Sequence, residues 1–239
     1  SKVTFEIPMS FTEIQVKESF SSKEQLNGFI SMLTTSIENA MTVKLDALIM
    51  RTINNMVGET AFSELATVDE QDDSVTWDFT ATGAKAVNLL TLYNATVDAA
   101  NAVTFADALT NPDFIRYATY VIGLYEARIS RNSTLFNAEG KEGFTPPSDL
   151  ITVLLADFSK ASETFLASNT FNDEKVTLPR HDSVPYWQGS GESYAFEDVS
   201  KINVKTSSGH EVEISGVVGV MFDRQALGVT NLNRRVTTN

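Results

Sequence analysis

The residues of this chain that could do chemistry are few: two histidines, one run of acids, one serine between glycines, and one carboxylate behind an apolar run. His181 stands in Arg180-His-Asp182 and His210 follows Ser207-Ser-Gly209. A histidine metal site needs a second ligand at helical or hairpin spacing, and neither residue has one. The chain has no cysteine, which excludes disulfides, thiolate nucleophiles and Cys-bound zinc or iron–sulfur sites. Both histidines therefore read as structural or solvated. Asp69, Glu70, Asp72 and Asp73 have the carboxylate density of a divalent-ion loop without its Asp-x-Asp-x-Asp-Gly layout, and read as a solvated loop. Ser190, in Gly189-Ser-Gly191, has no base in view and reads as part of a tight turn. Asp157 follows the apolar run 150–156, the strand end where α/β sheets bind ligands; its ordinary reading is the cap of the next helix. No catalytic residue, cofactor-binding residue or metal ligand is expected, and no cofactor.

The bulk numbers agree with a structural role. With 31 acids against 18 bases the formal charge is −13, which disfavours a surface that grips nucleic acid through counterion release. It suits a protein kept soluble by self-repulsion. At 239 residues and 42% hydrophobic, the chain can core one or two domains. No apolar run approaches the ~20 residues that span a bilayer, and no membrane contact is expected. The chain opens at Ser1 and closes at Asn239 inside what reads as a strand, the pattern of a processed, truncated or partial form of something longer.

The elements that would position these residues follow from periodicity. Val3, Phe5, Ile7, Met9 and Phe11 alternate with polar residues, a half-buried strand. Pro8 confines it to an edge or an arm, and its apolar face needs a neighbouring surface. Ser22 with Gln25 is a capping box opening a helix over residues 22–57, with apolar residues at 3–4 spacing and Gly58 as its C-cap. Such a helix is about 35 residues, roughly 52 Å long, against a typical ~11–12 residues. Residues 74–80 read as a strand, 82–101 as a helix, and Asn111-Pro-Asp113 as the start of a helix to Arg131. A strand at 150–156, a short helix at 159–168 and a linker at 140–148 follow. Residues 201–214 form a hairpin with Ile202 and Val204 facing Val212 and Ile214, then come a buried strand at 217–222 and another at 233–238. Trp187 reads as exposed on a turn or packed at a contact. Arg234-Arg235, a lone basic pair, reads as an intersubunit ion-pair donor.

This order of parts, with Gly216-Val-Val-Gly-Val-Met-Phe-Asp-Arg-Gln-Ala-Leu-Gly-Val229, Asn231-Leu-Asn-Arg-Arg-Val236 and Pro185-Tyr-Trp-Gln-Gly189, resembles the major capsid proteins of tailed bacteriophages with the Hong Kong 97-type fold. The resemblance implies an α+β fold: the descending part of an extended loop (1–20), a peripheral domain with a spine helix (21–132), an axial domain (133–228) and a return to the peripheral domain (229–239). The ascending half of the loop and the closing peripheral strands are not in this sequence. It implies a structural, non-enzymatic head protein, assembled in the host cytoplasm and residing in the virion capsid. As partners it implies further copies in hexamers and pentamers of an icosahedral shell, with portal, scaffold or decoration proteins, enclosing DNA without sequence-specific binding. The expected interface residues are Phe5, Ile7, Met9, Phe11, Trp187, Arg234 and Arg235. An encapsulin-like compartment and a small α/β hydrolase or binding protein are the alternatives.

Overall fold

The structure, a computed structural model, describes residues 12–19, 22–136, 140–167, 178–188 and 193–229. The chain forms two compact units, Ser1–Arg51 and Thr52–Asn239. The expected strand at 3–11, with Phe5, Ile7, Met9 and Phe11, lies outside the described residues.

In the first unit, α1 (Glu13–Ser19) is a short helix where the sequence reading expects extended chain. Its Glu13–Lys17 ion pair spans one turn, the spacing that supports a helix. Helix α2 (Lys23–Leu65) follows, 43 residues without a break. Its start is the expected one: the Gln25 N–H donates to Ser22 Oγ at 3.1 Å. None of residues 22–51 is buried. Ile30, Met32, Ile37, Val43 and Ile49 are exposed, Val43 to 68%.

The second unit begins inside α2, where burial starts at Ile53 and Asn54. Gly58 does not cap the helix; α2 continues for seven residues beyond it. Gly58 is buried, and a Cβ there would overlap the Val204 side chain. The glycine is needed for close approach of a hairpin, not for a left-handed turn. β1 (Ala66–Val68) and β2 (Val75–Trp77) form an antiparallel pair whose tip is residues 69–74. The Glu64 carboxylate accepts from the backbone N–H groups of Lys85 and Ala86 at 2.8 and 2.6 Å and pins the following loop to α2.

The helix expected over 82–101 is mostly absent. α3 covers only Leu89–Asn94, with a 3-10 turn at Ala99–Asn101. Asn88 caps α3 by accepting from the Thr91 N–H at 2.9 Å. Asn94 ends it by taking both backbone groups of Val103, each at 2.9 Å. These amide side chains offer the backbone partners that compete with helix continuation. α4 (Pro112–Ile129) starts as expected, with Asn111 Oδ1 accepting from Asp113 and Phe114. Phe114, Ile115, Ala118, Val121 and Ile122 are buried, as their spacing requires.

β3 (Leu150–Leu155) is the centre of a three-stranded sheet, parallel to β4 (Asp182–Val184) and antiparallel to β7 (Gly219–Asp223). α5 (Ala156–Ala167) follows β3 directly. α6 (Phe196–Val199) is a single turn before the hairpin of β5 (Ile202–Lys205) and β6 (Glu211–Ile214). Ile202 pairs with Ile214 and Val204 with Val212, the expected register. β7 is half-buried along its whole length rather than buried, because it is an edge of the sheet. The expected linker is tied down: Ser133 and Gly143 exchange backbone hydrogen bonds and the Thr145 N–H donates to Ile129 O. One core joins elements on both sides of it, with Ile115, Ala118 and Ile122 of α4 packed with Leu154 of β3 and Phe158 of α5.

Candidate functional site

The most catalytic-looking contact among the described residues is one the sequence does not advertise. Ser159 Oγ lies 2.9 Å from His181 Nε2, and His181 Nδ1 lies 2.8 Å from Pro179 O. A carbonyl oxygen only accepts, so Nδ1 carries the proton and Nε2 accepts from the serine hydroxyl. That is the wiring of a nucleophile and its base. Ser159, however, is 2% exposed on the inner face of α5. A carbonyl carbon of a substrate cannot reach its oxygen. The pair instead ties α5 to the chain entering β4.

His210 is likewise structural. Its ring stacks on Phe62 of α2 at 5.1 Å, Nδ1 meets Ser208 Oγ at 2.9 Å, and Nε2 meets Asp73 Oδ1 at 3.1 Å. It joins the tips of the β1–β2 and β5–β6 hairpins. The other acids at residues 69–73 form an exposed, self-capped tip: Asp72 Oδ1 accepts from the Ser74 N–H at 3.0 Å. Hydrogen bonding to Ser74 holds the Asp72 carboxyl below its ordinary value. Among the described residues no three His, Asp or Glu side chains converge on a metal-sized site. Asp157 sits inside the first turn of α5 rather than at its cap, because the helix begins directly at Ala156. There it complements the helix dipole. Gly189-Ser-Gly191 lies outside the described residues, as do Arg234 and Arg235.

Trp187 corrects an expectation. It is 2% exposed, inside its own unit, not on an outer surface. Its indole N–H donates to Val217 O at 2.7 Å and its backbone N–H to Val199 O at 3.1 Å. Asn54 of α2 donates to Trp187 O at 2.7 Å. The indole finds a polar partner while burying its rings, so the side chain staples the chain before α6 to the entry of β7, and the Trp187 carbonyl ties it to α2. Asn54 itself was not singled out by the sequence; an amide at a buried position of a helix is the signal that marks it.

What the described residues present outward is apolar surface on α2 and carboxylates elsewhere, and no metal cluster is found among them. No helix among them is long and apolar enough to cross a membrane. The chain belongs to the family of Phi29-like phage major capsid proteins, whose sequence profile matches residues 1–239. No curated protein matches it. The chain is thus a structural protein of the virion capsid, and the phage head reading is favoured over a cargo compartment or a hydrolase.

Proposed function

We propose that this chain is a Hong Kong 97-type shell subunit that tiles hexamers and pentamers of an icosahedral head around packaged DNA. In this reading residues 1–20 are part of an extended loop, 21–132 the peripheral domain with α2 as its spine, 133–228 the axial domain and 229–239 the return. Assembly takes place in the host cytoplasm, with portal, scaffold or decoration proteins as further partners. Phe5, Ile7, Met9 and Phe11 lie against a neighbouring copy and Arg234 and Arg235 donate ion pairs across the contact.

The observation that carries the reading is the state of residues 22–51. They hold Ile30, Ile37, Val43 and Ile49 on a continuous helix, and not one residue of the stretch is buried. Apolar burial is worth about 25 cal/mol per Å2, so a helix left in this state gains most from a second copy. Many modest contacts summed over a closed shell exceed the ordering cost of each. The formal charge of −13 favours an inner wall that does not stick to DNA. Electron microscopy and sedimentation of the expressed chain test this. Shells or rings are expected; a monomer at every concentration would sink it.

A further inference from the structure

In an acidic protein, one groove has the opposite sign. Arg128, in the last turn of α4, and Arg131, just past its C-cap, line a groove of about 480 Å3 with Tyr125, Leu135 and Phe136. Arg128 lies 5.2 Å over the Tyr125 ring, and Tyr125 meets Phe136 edge-on at 6.0 Å. Both arginines are exposed, and among the described residues neither has a carboxylate partner. The helix C-terminus accounts for cations here. It does not account for the apolar floor beside them, where Leu135 is 61% exposed.

The complementary surface is the tip of β1–β2. Asp69, Glu70, Asp72 and Asp73 are all exposed on it. The tip is pre-shaped. Asp69 N–H donates to Ser74 O at 2.9 Å, Asp73 N–H to Asp69 O at 3.0 Å, and Gln71 N–H to Asp69 Oδ1 at 2.8 Å. His210 holds Asp73 from the other hairpin. Glu70 makes no hydrogen bond or ion pair among the described residues. A finger already ordered loses little entropy on docking.

We propose that the β1–β2 tip of one copy docks in the Arg128–Arg131 groove of a second copy, with Glu70 and Asp72 facing the two guanidinium groups. Planar guanidinium groups receive carboxylates in bidentate fashion, and Tyr125, Leu135 and Phe136 cover the stem of the loop. Because the two patches differ, the contact is heterologous and closes into rings or propagates. The inference rests on the self-assembly reading above and names one of its contacts.

The absence of cysteine makes the test clean. Chains carrying Glu70→Cys and chains carrying Arg131→Cys, co-assembled and oxidised, should give a disulfide heterodimer at least about tenfold above either chain alone. Arg128→Glu with Arg131→Glu should lower particle yield by about tenfold or more, as should Glu70→Lys with Asp72→Lys. All four reversals together should restore it to within about twofold. Particles that form normally in every variant, or that yield no heterodimer, would overturn this contact and leave self-assembly standing. A wild-type chain that never assembles would overturn both. Loss on reversing the arginines alone, without heterodimer or rescue, would assign the groove to another anion, such as packaged nucleic acid, and overturn the proposal.

Discussion

In the second unit Ile115, Phe158, Ile202 and Val212 are fully buried, whereas residues 22–51 of the first leave Ile30, Ile37 and Val43 in solvent. Both regions are rich in apolar side chains, and both are held by capped, regular elements. They differ in where the burial is completed. The second unit completes it within the chain, and several of its polar intrusions are matched: Thr119 bonds the Ile115 carbonyl at 2.8 Å, and Trp187 finds Val217 O. Among the described residues the 22–51 stretch has no such completion, which is expected of a subunit whose neighbours supply the missing surface.

The largest effect should come from removing the staple of the closed region. Trp187→Ala should cost about 3–5 kcal/mol, read as a fall in thermal midpoint, and particle yield should fall with it. A change under about 1 kcal/mol would mean that the indole is peripheral to the core. Next comes the packing of the β5–β6 hairpin on α2. Gly58→Leu forces a side chain into Val204 and should cost about 1–3 kcal/mol in chemical denaturation. Unchanged stability would show that the hairpin is free to shift. Smaller again is Asn54→Ala. It leaves Trp187 O without its Asn54 donor but also removes Asn54 Oδ1, which is buried with no partner among the described residues. The two effects offset, and a net loss of about 1 kcal/mol is expected in the same measurement.

The smallest effect is acid sensitivity at the β2–α3 loop. Asp78 Oδ1 accepts from the Thr80 hydroxyl at 2.6 Å and the Thr80 N–H at 3.0 Å, and these bonds hold its carboxyl below the model-peptide value of 3.8. A depressed folded value contributes stability above the unfolded one, lost as pH falls through the folded value. Hydrogen exchange at Thr80 should therefore be steady from neutral pH down to about 4 and accelerate only below, beyond the intrinsic pH trend. Asp78→Asn should remove that acid limb.

How much was legible follows from whether the deciding partner is local. The α4 cap is spelled in three adjacent residues, Asn111, Pro112 and Asp113, and the structure has it. The β5–β6 register follows from alternation around Ser207-Ser-Gly209. Helix 82–101 failed because Asn94 is claimed by Val103, a contact nine residues away that periodicity does not report. Gly58 reads locally as a C-cap, whereas the group it must clear, Val204, is far along the chain. The sequence reads Trp187 as exposed on a turn or packed at a contact; its hydrogen-bond partners, Val217 and Asn54, are both remote in sequence. The Ser159–His181 contact was invisible for the same reason.

The difference between the two regions is tested most directly by Ile30→Ser, Ile37→Ser and Val43→Ser combined. These side chains are exposed in the single chain, so stability should stay within about 0.5 kcal/mol per site. Sedimentation of that variant beside the wild type should show particles for the wild type and none for the variant, at an unchanged thermal midpoint. Particles of normal size and yield from the triple variant would contradict the account.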